Sequence, residues 1–264
     1  MSDDAAVIEI GQATLVLTHD TMSEGTHFRA DADMSDVAWK LAASNLSDLA
    51  AKGAEPVGVL LSYALGADDE EFLRGLNEAL CAFDTVLLGG DTFAAEGART
   101  FGITAIGRAT HRPPPARSGA QPGDLVYVTG SLGRAMLGFE GNPNHLEAFN
   151  RPVARLEEGR VLAPIVSAMM DVSDGLLLDA YRLAAASEVT ITLNTHSVPV
   201  ALETRRDECL RWGDDYELLF TLPAYANCPI PATRIGAVET RGFALLMVDD
   251  HPIVNEEGLG FRHG

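Results

Sequence analysis

The chain has 264 residues, 47% of them hydrophobic, and 38 acidic against 19 basic residues give it a formal net charge of -19. That length and apolar share support one large domain or two of ordinary size, no run approaches the roughly 18 apolar residues that span a bilayer, and the acidic start Met1-Ser2-Asp3-Asp4 reads as neither secretory signal nor transit peptide. So negative a chain, whose only lysines are Lys40 and Lys52, is unsuited to nucleic acid or an anionic membrane, both of which demand a positive footprint.

In chain order, Leu15-Val16-Leu17 predicts a short buried strand. Ser35 predicts the cap of a helix running through Trp39, Leu41, Leu46 and Leu49 to a stop at Gly53, with Pro56 beyond. A strand follows over Val57 to Leu65, and a helix over Asp68 to Phe83, where apolar residues recur at helical spacing behind an acidic first turn. Thr85 to Leu88 predicts a strand leading into a Gly89-Gly90-Asp91 loop, and Thr100 to Ile106 another strand. The Pro/Gly cluster over 111–123 breaks both helix and strand and predicts a linker between an N-terminal domain, 1–110, and a C-terminal domain, 124–264. Beyond it, strands are expected at Asp124–Thr129, Val189–Leu193, Leu218–Leu222, Arg234–Val238 and Ala244–Val248. Helix is expected after Gly130-Ser131-Leu132-Gly133, in part of Arg155–Met169, and over Leu176–Ala186. Helices alternate with strands in both halves, which predicts an α/β (α+β) protein of two domains. Cys81, Cys209 and Cys228 lie far apart without a CxxC pair and predict free thiols in a reducing, cytoplasmic setting.

Several familiar chemistries are absent. No lysine follows a glycine, so there is no P-loop; the His-Arg-Asp and Asp-Phe-Gly elements of protein kinases are missing. Gly130-Ser131-Leu132-Gly133 follows a strand but lacks the spacing of a dinucleotide turn. What the chain has instead is aspartate at strand ends or beside glycine: Asp3-Asp4, Asp20, Asp91, and Asp171 and Asp174 around Ser173. Such carboxylates are hard oxygen ligands of the kind Mg²⁺ takes, often together with substrate phosphates. Gathered in one cleft without a cation they would repel one another. Asp48 lies inside a helix, where it either pairs with Lys52 one turn on or projects into the same cleft. His27, after a glycine turn, and Arg117, at the hinge, are candidate contacts to substrate and phosphate; taken alone, His27 suits a surface loop better than a substrate contact.

Eight segments together resemble the thiamine-monophosphate kinase family, within the wider aminoimidazole ribonucleotide synthetase superfamily. They are Asp3-Asp4-Ala5-Ala6-Val7, Thr18-His19-Asp20-Thr21, Glu24-Gly25-Thr26-His27-Phe28, Asn45-Leu46-Ser47-Asp48-Leu49-Ala50, Gly89-Gly90-Asp91-Thr92, Arg117-Ser118-Gly119-Ala120-Gln121-Pro122-Gly123-Asp124, Asp171-Val172-Ser173-Asp174-Gly175-Leu176 and Gly213-Asp214-Asp215-Tyr216-Glu217-Leu218. The resemblance implies transfer of the γ-phosphoryl group of ATP to thiamine monophosphate. It also implies an N-terminal α/β domain that forms a β-barrel across a homodimer, and a C-terminal α/β domain. Carried over by position, Asp4, Thr18, His19, Asp20, Asp48, Asp91, Asp171 and Asp174 would hold several Mg²⁺ ions, Gly90, Asp91, Arg117 and Ser173 would contact ATP, and His27, Asp214 and Phe261 would approach thiamine monophosphate. No protein nucleophile is expected. This chain departs from the family pattern at His19, where Thr or Ser is usual, at Phe261, where Tyr or Trp is common, and in lacking the glycine and the segment ahead of Asp3, which leaves an edge strand uncovered. Another ATP-using synthetase of the superfamily and a non-catalytic nucleotide-binding homologue are the alternative readings.

Overall fold

The structure, a computed structural model, describes residues 3–94 and 96–261. The N-terminal half is one sheet of β1 (Ala6–Ile10), β2 (Ala13–Ser23), β3 (Ala54–Ala64), β4 (Leu87–Phe93) and β5 (Thr100–Ala109), in the order β1-β2-β5-β3-β4, with only β3 and β4 parallel. Its central strands, β2, β5 and β3, alternate as strands with one covered face should, while the edge strands β1 and β4 are exposed throughout. Val16, Val59, Leu61, Tyr63, Phe101, Ile103 and Ala105 are buried against α1 (Met34–Ala51) and α2 (Asp69–Ala82), while the residues between them point away from both helices. Phe72 of α2 wedges against Tyr63 and Phe101, with ring centroids 4.6 and 4.8 Å away. The sheet does not close into a barrel within the described chain.

The C-terminal half is a sheet of seven strands. These are β6 (Leu125–Val128), β7 (Ala168–Val172), β8 (Thr190–Leu193), β9 (Glu217–Leu222), β10 (Thr233–Glu239), β11 (Leu246–Val248) and β12 (His251–Ile253), ordered β12-β11-β8-β10-β6-β9-β7. Only β8 and β11 run parallel. α6 (Leu176–Ser187) packs on this sheet; of the short helices α3 (Arg134–Phe139), α4 (Leu146–Asn150), α5 (Leu156–Leu162) and α7 (Arg206–Arg211), α4 and α5 pack against α1. Helices and strands do mix in both halves, as the sequence predicts, but the pairing is mostly antiparallel, so each sheet carries helices without the repeated crossovers of a parallel α/β fold.

Helix α1 joins the halves. It is buried on nearly every side, with one flank on the N-terminal sheet and another in the cluster that includes Met169, Leu218 and Phe220 of β7 and β9. Its cap is Asp33 rather than Ser35: the Asp33 carboxylate accepts the Ser35 amide at 2.8 Å and the Ser35 hydroxyl at 2.7 Å, and a carboxylate there also meets the positive end of the helix dipole. The helix ends, as expected, at Gly53, whose φ of +56° closes the last turn.

The predicted Gly89-Gly90-Asp91 loop is instead part of strand β4. A side chain at Gly90 would bring its Cβ to 1.9 Å from the Leu61 carbonyl oxygen, so the glycine lets β4 lie flush beside β3. Strand β12 and the helices α4 and α7, each six residues or fewer, have no counterpart among the predicted elements, being too short to display a period.

Candidate active site

Between the two halves lies a cleft of about 620 Å³. Polar residues of the otherwise apolar α1 form a stripe along it: Lys40, Ser44 and Asp48 stand one turn apart and line the cleft, as residues at i, i+4 and i+8 must share a face. Ser47 and Lys52 continue the stripe.

At one end the carboxylates of Asp4, Asp48 and Asp171 each bring an oxygen within 4.8 Å of the others. Four separate stretches of chain meet there. Thr18 of β2 donates its hydroxyl to Asp48. Ser47 donates to Asp171, at the end of β7, at 2.7 Å. Asn45 accepts the Asp20 amide at 2.9 Å while donating to the Leu41 carbonyl at 2.8 Å, and so fixes the backbone from which Asp20 faces the cleft. Burial raises the Asp48 carboxyl well above the usual range, and the charges of Asp171, Asp20 and Asp4 raise it further. Asp171 is raised too, first by burial and then by Asp4, against the opposing hydrogen bond from Ser47. The chain's own cations relieve part of the repulsion. Lys52, fully buried, pairs with Asp3 and reaches Asp4 Oδ2 at 2.8 Å, and Arg117 pairs with Asp4, its Nε at 2.8 Å. The one-turn Asp48–Lys52 pair considered from the sequence does not form; Lys52 turns to the two acids that precede β1 instead.

These residues fit a divalent cation. The donor set is all carboxylate and hydroxyl oxygen, the choice of Mg²⁺, and Asp4 Oδ2 is buried without a hydrogen-bond donor, Lys52 contributing charge without donor alignment.

Two loops form the wall opposite α1. In Asp171-Val172-Ser173-Asp174-Gly175, the amides of Ser173 and Asp174 donate to the buried Asp179 carboxylate at 3.2 and 3.1 Å, which holds the loop open toward the cleft while Asp174 pairs with Arg182. In Trp212-Gly213-Asp214-Asp215-Tyr216-Glu217, the Asp214 amide donates to the Ser173 carbonyl at 2.8 Å and the Tyr216 amide to the Val172 carbonyl at 2.9 Å. Asp214 and Tyr216 take positive φ values of +65° and +51°, strain of the sort that functional loops retain. The Phe261 amide donates to the Asp174 carbonyl at 2.9 Å, which brings the end of the described chain over the cleft. Asp215 faces away and accepts the Gly133 amide at 2.8 Å and the Ala135 amide at 3.3 Å; burial raises its carboxyl to about 7. That carboxylate occupies the start of α3, where a dinucleotide pyrophosphate would have to sit.

The other end of the cleft is aromatic. Phe139 meets Phe149 edge to face at 5.4 Å and Trp212 at 5.3 Å. The Lys40 ammonium sits 3.7 Å from the centre of the Phe149 ring and 2.7 Å from Asp214 Oδ2. His27 lies nearby, its Nδ1 accepting the Ser23 amide at 3.0 Å.

Of the residues singled out in the sequence, Asp4, Asp20, Asp48, Asp171, Asp174, Arg117, Ser173, His27, Asp214 and Phe261 line this cleft, and Thr18 supports it through Asp48. His19, Gly90 and Asp91 do not. The His19 ring lies on the exposed face of the N-terminal sheet, 2.9 Å from Thr104 Oγ1. Gly90 and Asp91 are exposed on the edge strand β4. Sequence reasoning missed Lys40, Phe139 and Phe149, marked Trp212 only as an aromatic neighbour of an acidic turn, and gave Lys52 the wrong partner. Lys40 carried a signal, being a polar residue on an apolar helix; Phe139 and Phe149, on separate segments, carried none.

Models of two domains cover nearly the whole chain: the N-terminal domain of AIR synthase related protein matches residues 2–109 and the C-terminal domain matches 121–252. The thiamine-monophosphate kinase of Salmonella typhimurium is 34% identical over 100% of this chain and 91% of its own length, and that of Escherichia coli K12 is 32% identical over the same shares. The chain belongs to the thiamine-monophosphate kinase family. Among solved structures, AaThiL complexed with AMPPCP and TMP superposes with a TM-score of 0.87 at 30% identity, covering 96% of this chain and 89% of that one. The thiamine-monophosphate kinase of Stenotrophomonas maltophilia K279a superposes at 0.82 with 32% identity, covering 95% and 92%. No helix among the described residues is long and apolar enough to cross a membrane.

Proposed function

We propose that this protein catalyses the ATP-dependent phosphorylation of thiamine monophosphate in the cleft between its halves. The observation that carries the reading is the polarity of that cleft, with clustered carboxylates at one end and an aromatic, carboxylate-bearing chamber at the other, in a chain that matches about nine-tenths of the length of its thiamine-monophosphate kinase relatives. The acceptor phosphate oxygen is already ionised and attacks the γ-phosphorus in line; the bond to the β-phosphate oxygen breaks, and thiamine diphosphate and ADP leave. No side chain has to give or take a proton. The protein's part is to position and to compensate charge.

In this reading Asp4, Asp20, Asp48, Asp171 and Asp174 hold Mg²⁺, with Thr18 orienting Asp48. Mg²⁺ bound there would neutralise the phosphates and stabilise charge on the transferring group. Arg117 and Ser173 face the nucleotide, and Arg117 exchanges Asp4 for phosphate as it does so. His27, Asp214 and Phe261 face the thiamine moiety. The domain division at 111–123 and a cytoplasmic location are part of the same reading.

A homodimer completes it. The uncovered face of the N-terminal sheet displays Ile8 at 44%, Ile10 at 58% and Leu60 at 39% exposure, an apolar surface that a second copy would cover. On that same face, by strand register, stand His19, Thr104, Ser62 and Asp91. The strand order sets Asp91 three strand spacings, about 14 Å, from Asp20. Asp91 and Gly90 therefore serve the cleft of the second copy rather than their own.

The test is direct: purified protein with ATP, Mg²⁺ and thiamine monophosphate, the products separated by chromatography. Thiamine diphosphate formed in step with ADP, and abolished by EDTA, supports the reading. Nucleotide binding without thiamine diphosphate assigns the chain to the non-catalytic alternative.

A further inference from the structure

The chain has only two lysines in 264 residues; Lys40 lies on α1 and Lys52 caps its end, both buried, with ammonium groups on carboxylates of the cleft. Everywhere else its cations are arginines. Lysine differs from arginine in being a compact charge on a flexible stem, easily detached from one partner and offered to another. Lys52 is locked by Asp3 and Asp4 at full burial. Lys40 is held differently: its ammonium rests over the Phe149 ring at 3.7 Å and against Asp214 Oδ2 at 2.7 Å, and Asp214 is itself 36% exposed. A ring face and a carboxylate, side by side in a cleft, are what a bound organic cation requires.

Resting on the function proposed above, we infer that Lys40 is a resident stand-in for the substrate's thiazolium cation. When thiamine monophosphate enters, its thiazolium takes the seat between Phe149 and Asp214, and the displaced ammonium becomes the hydrogen-bond donor to the acceptor phosphate. The exchange conserves charge in the chamber, one cation replacing another, so Asp214 is never left uncompensated. It also aims the phosphate correctly. Lys40 stands on the same face of α1 as Asp48, two turns or about 12 Å away, which leaves room between them for the acceptor phosphate and the γ-phosphoryl group. Among the described residues no other lysine or arginine lining this end is available: Arg211 is engaged by Asp207 at 2.9 Å and by the Gly258 carbonyl at 2.6 Å, and Arg117 and Lys52 belong to the opposite end.

The exchange predicts opposite effects on two ligands that differ only in the phosphate. Calorimetry with the wild-type protein, Lys40→Met and Lys40→Arg, titrated with thiamine monophosphate and with thiamine, reads them. Lys40→Met should bind thiamine monophosphate about thirty-fold more weakly, through loss of a charge-assisted bond. It should bind thiamine two- to five-fold more tightly, because the seat is already vacated. Lys40→Arg, which keeps the charge but not the compact, readily detached head, should rescue thiamine monophosphate only in part, to within about ten-fold, and remains informative if the Met variant fails to fold. Equal weakening of both ligands, unchanged affinity for thiamine monophosphate, or no rescue by arginine would overturn the inference. Turnover of thiamine monophosphate by the wild type is scored separately: its absence defeats the proposed function, while the affinities still decide the role of Lys40.

Discussion

Aspartate beside a strand end is one signal in the sequence, yet it leads to opposite surroundings at Asp171 and Asp91. Asp171 ends β7 fully enclosed, within reach of two other carboxylates and with its carboxyl raised by burial. Asp91 lies mid-strand on an exposed edge. The first group is a candidate site already assembled, because desolvated like charges favour a proton or a cation between them. The second becomes one only if another surface is brought against it. A motif thus names a residue's chemistry, while burial decides whether that chemistry is already assembled.

Exchanging Asp171 for asparagine should separate activity from stability most sharply. Asp171→Asn is expected to lower kcat/KM about a thousand-fold, since the ligand charge is lost while the Ser47 bond can persist. In EDTA the same variant should melt a few degrees higher, because buried repulsion is relieved. Activity within ten-fold of wild type, or a lower melting temperature, would break the comparison.

Asp91→Asn should cost about a hundred-fold without changing the melting temperature. Mixed with Asp171→Asn under conditions that exchange subunits, it should recover up to about a quarter of wild-type activity, because a mixed dimer keeps one intact cleft. No recovery would return Asp91 to its own chain.

The raised carboxyls also set a pH dependence. Asp171 and Asp215, each raised to about 7, bind a proton more tightly in the folded chain than in the unfolded one, where the value is near 4. The stability they contribute is therefore complete at low pH and is lost as pH rises through the interval from about 4 to about 7. In EDTA the protein should melt about 5 °C lower at pH 8 than at pH 5.5. Saturating Mg²⁺ should flatten that difference, since the cation takes over from the proton at Asp171 but not at Asp215. A flat profile in EDTA would show that the acid cluster is not under strain.

The smallest effect belongs to His19. Its ring is bonded to Thr104 on the sheet's outer face, so His19→Thr, which brings in a residue more usual in the family, should leave kcat within about three-fold in the assay described above. A larger change would place the imidazole in the reaction.

Most of the long elements were legible because burial on one side leaves a period. The apolar spacing of α2 and the alternation in β3 and β5 follow from one covered face each. The boundaries were less so: Asp33 takes the cap expected of Ser35, and Gly89-Gly90-Asp91 runs on as strand because only contact with the Leu61 carbonyl reveals why glycine is needed there. In the site, the aspartates were readable from residue type and neighbours, whereas Phe139, Phe149 and Trp212 come from three separate segments and meet only in space.

The amino-acid order by itself displayed an acid-rich, lysine-poor chain with aspartates at recurrent turns, from which came the expectation that anionic substrates need an intervening cation. Which of those acids confront one another, which cation each of them holds, and that Lys52 meets Asp3 and Asp4 rather than Asp48 were decided by the tertiary structure. The physical reason is that charge interactions depend on distance and dielectric, and both come into being only when α1 is enclosed between the two sheets.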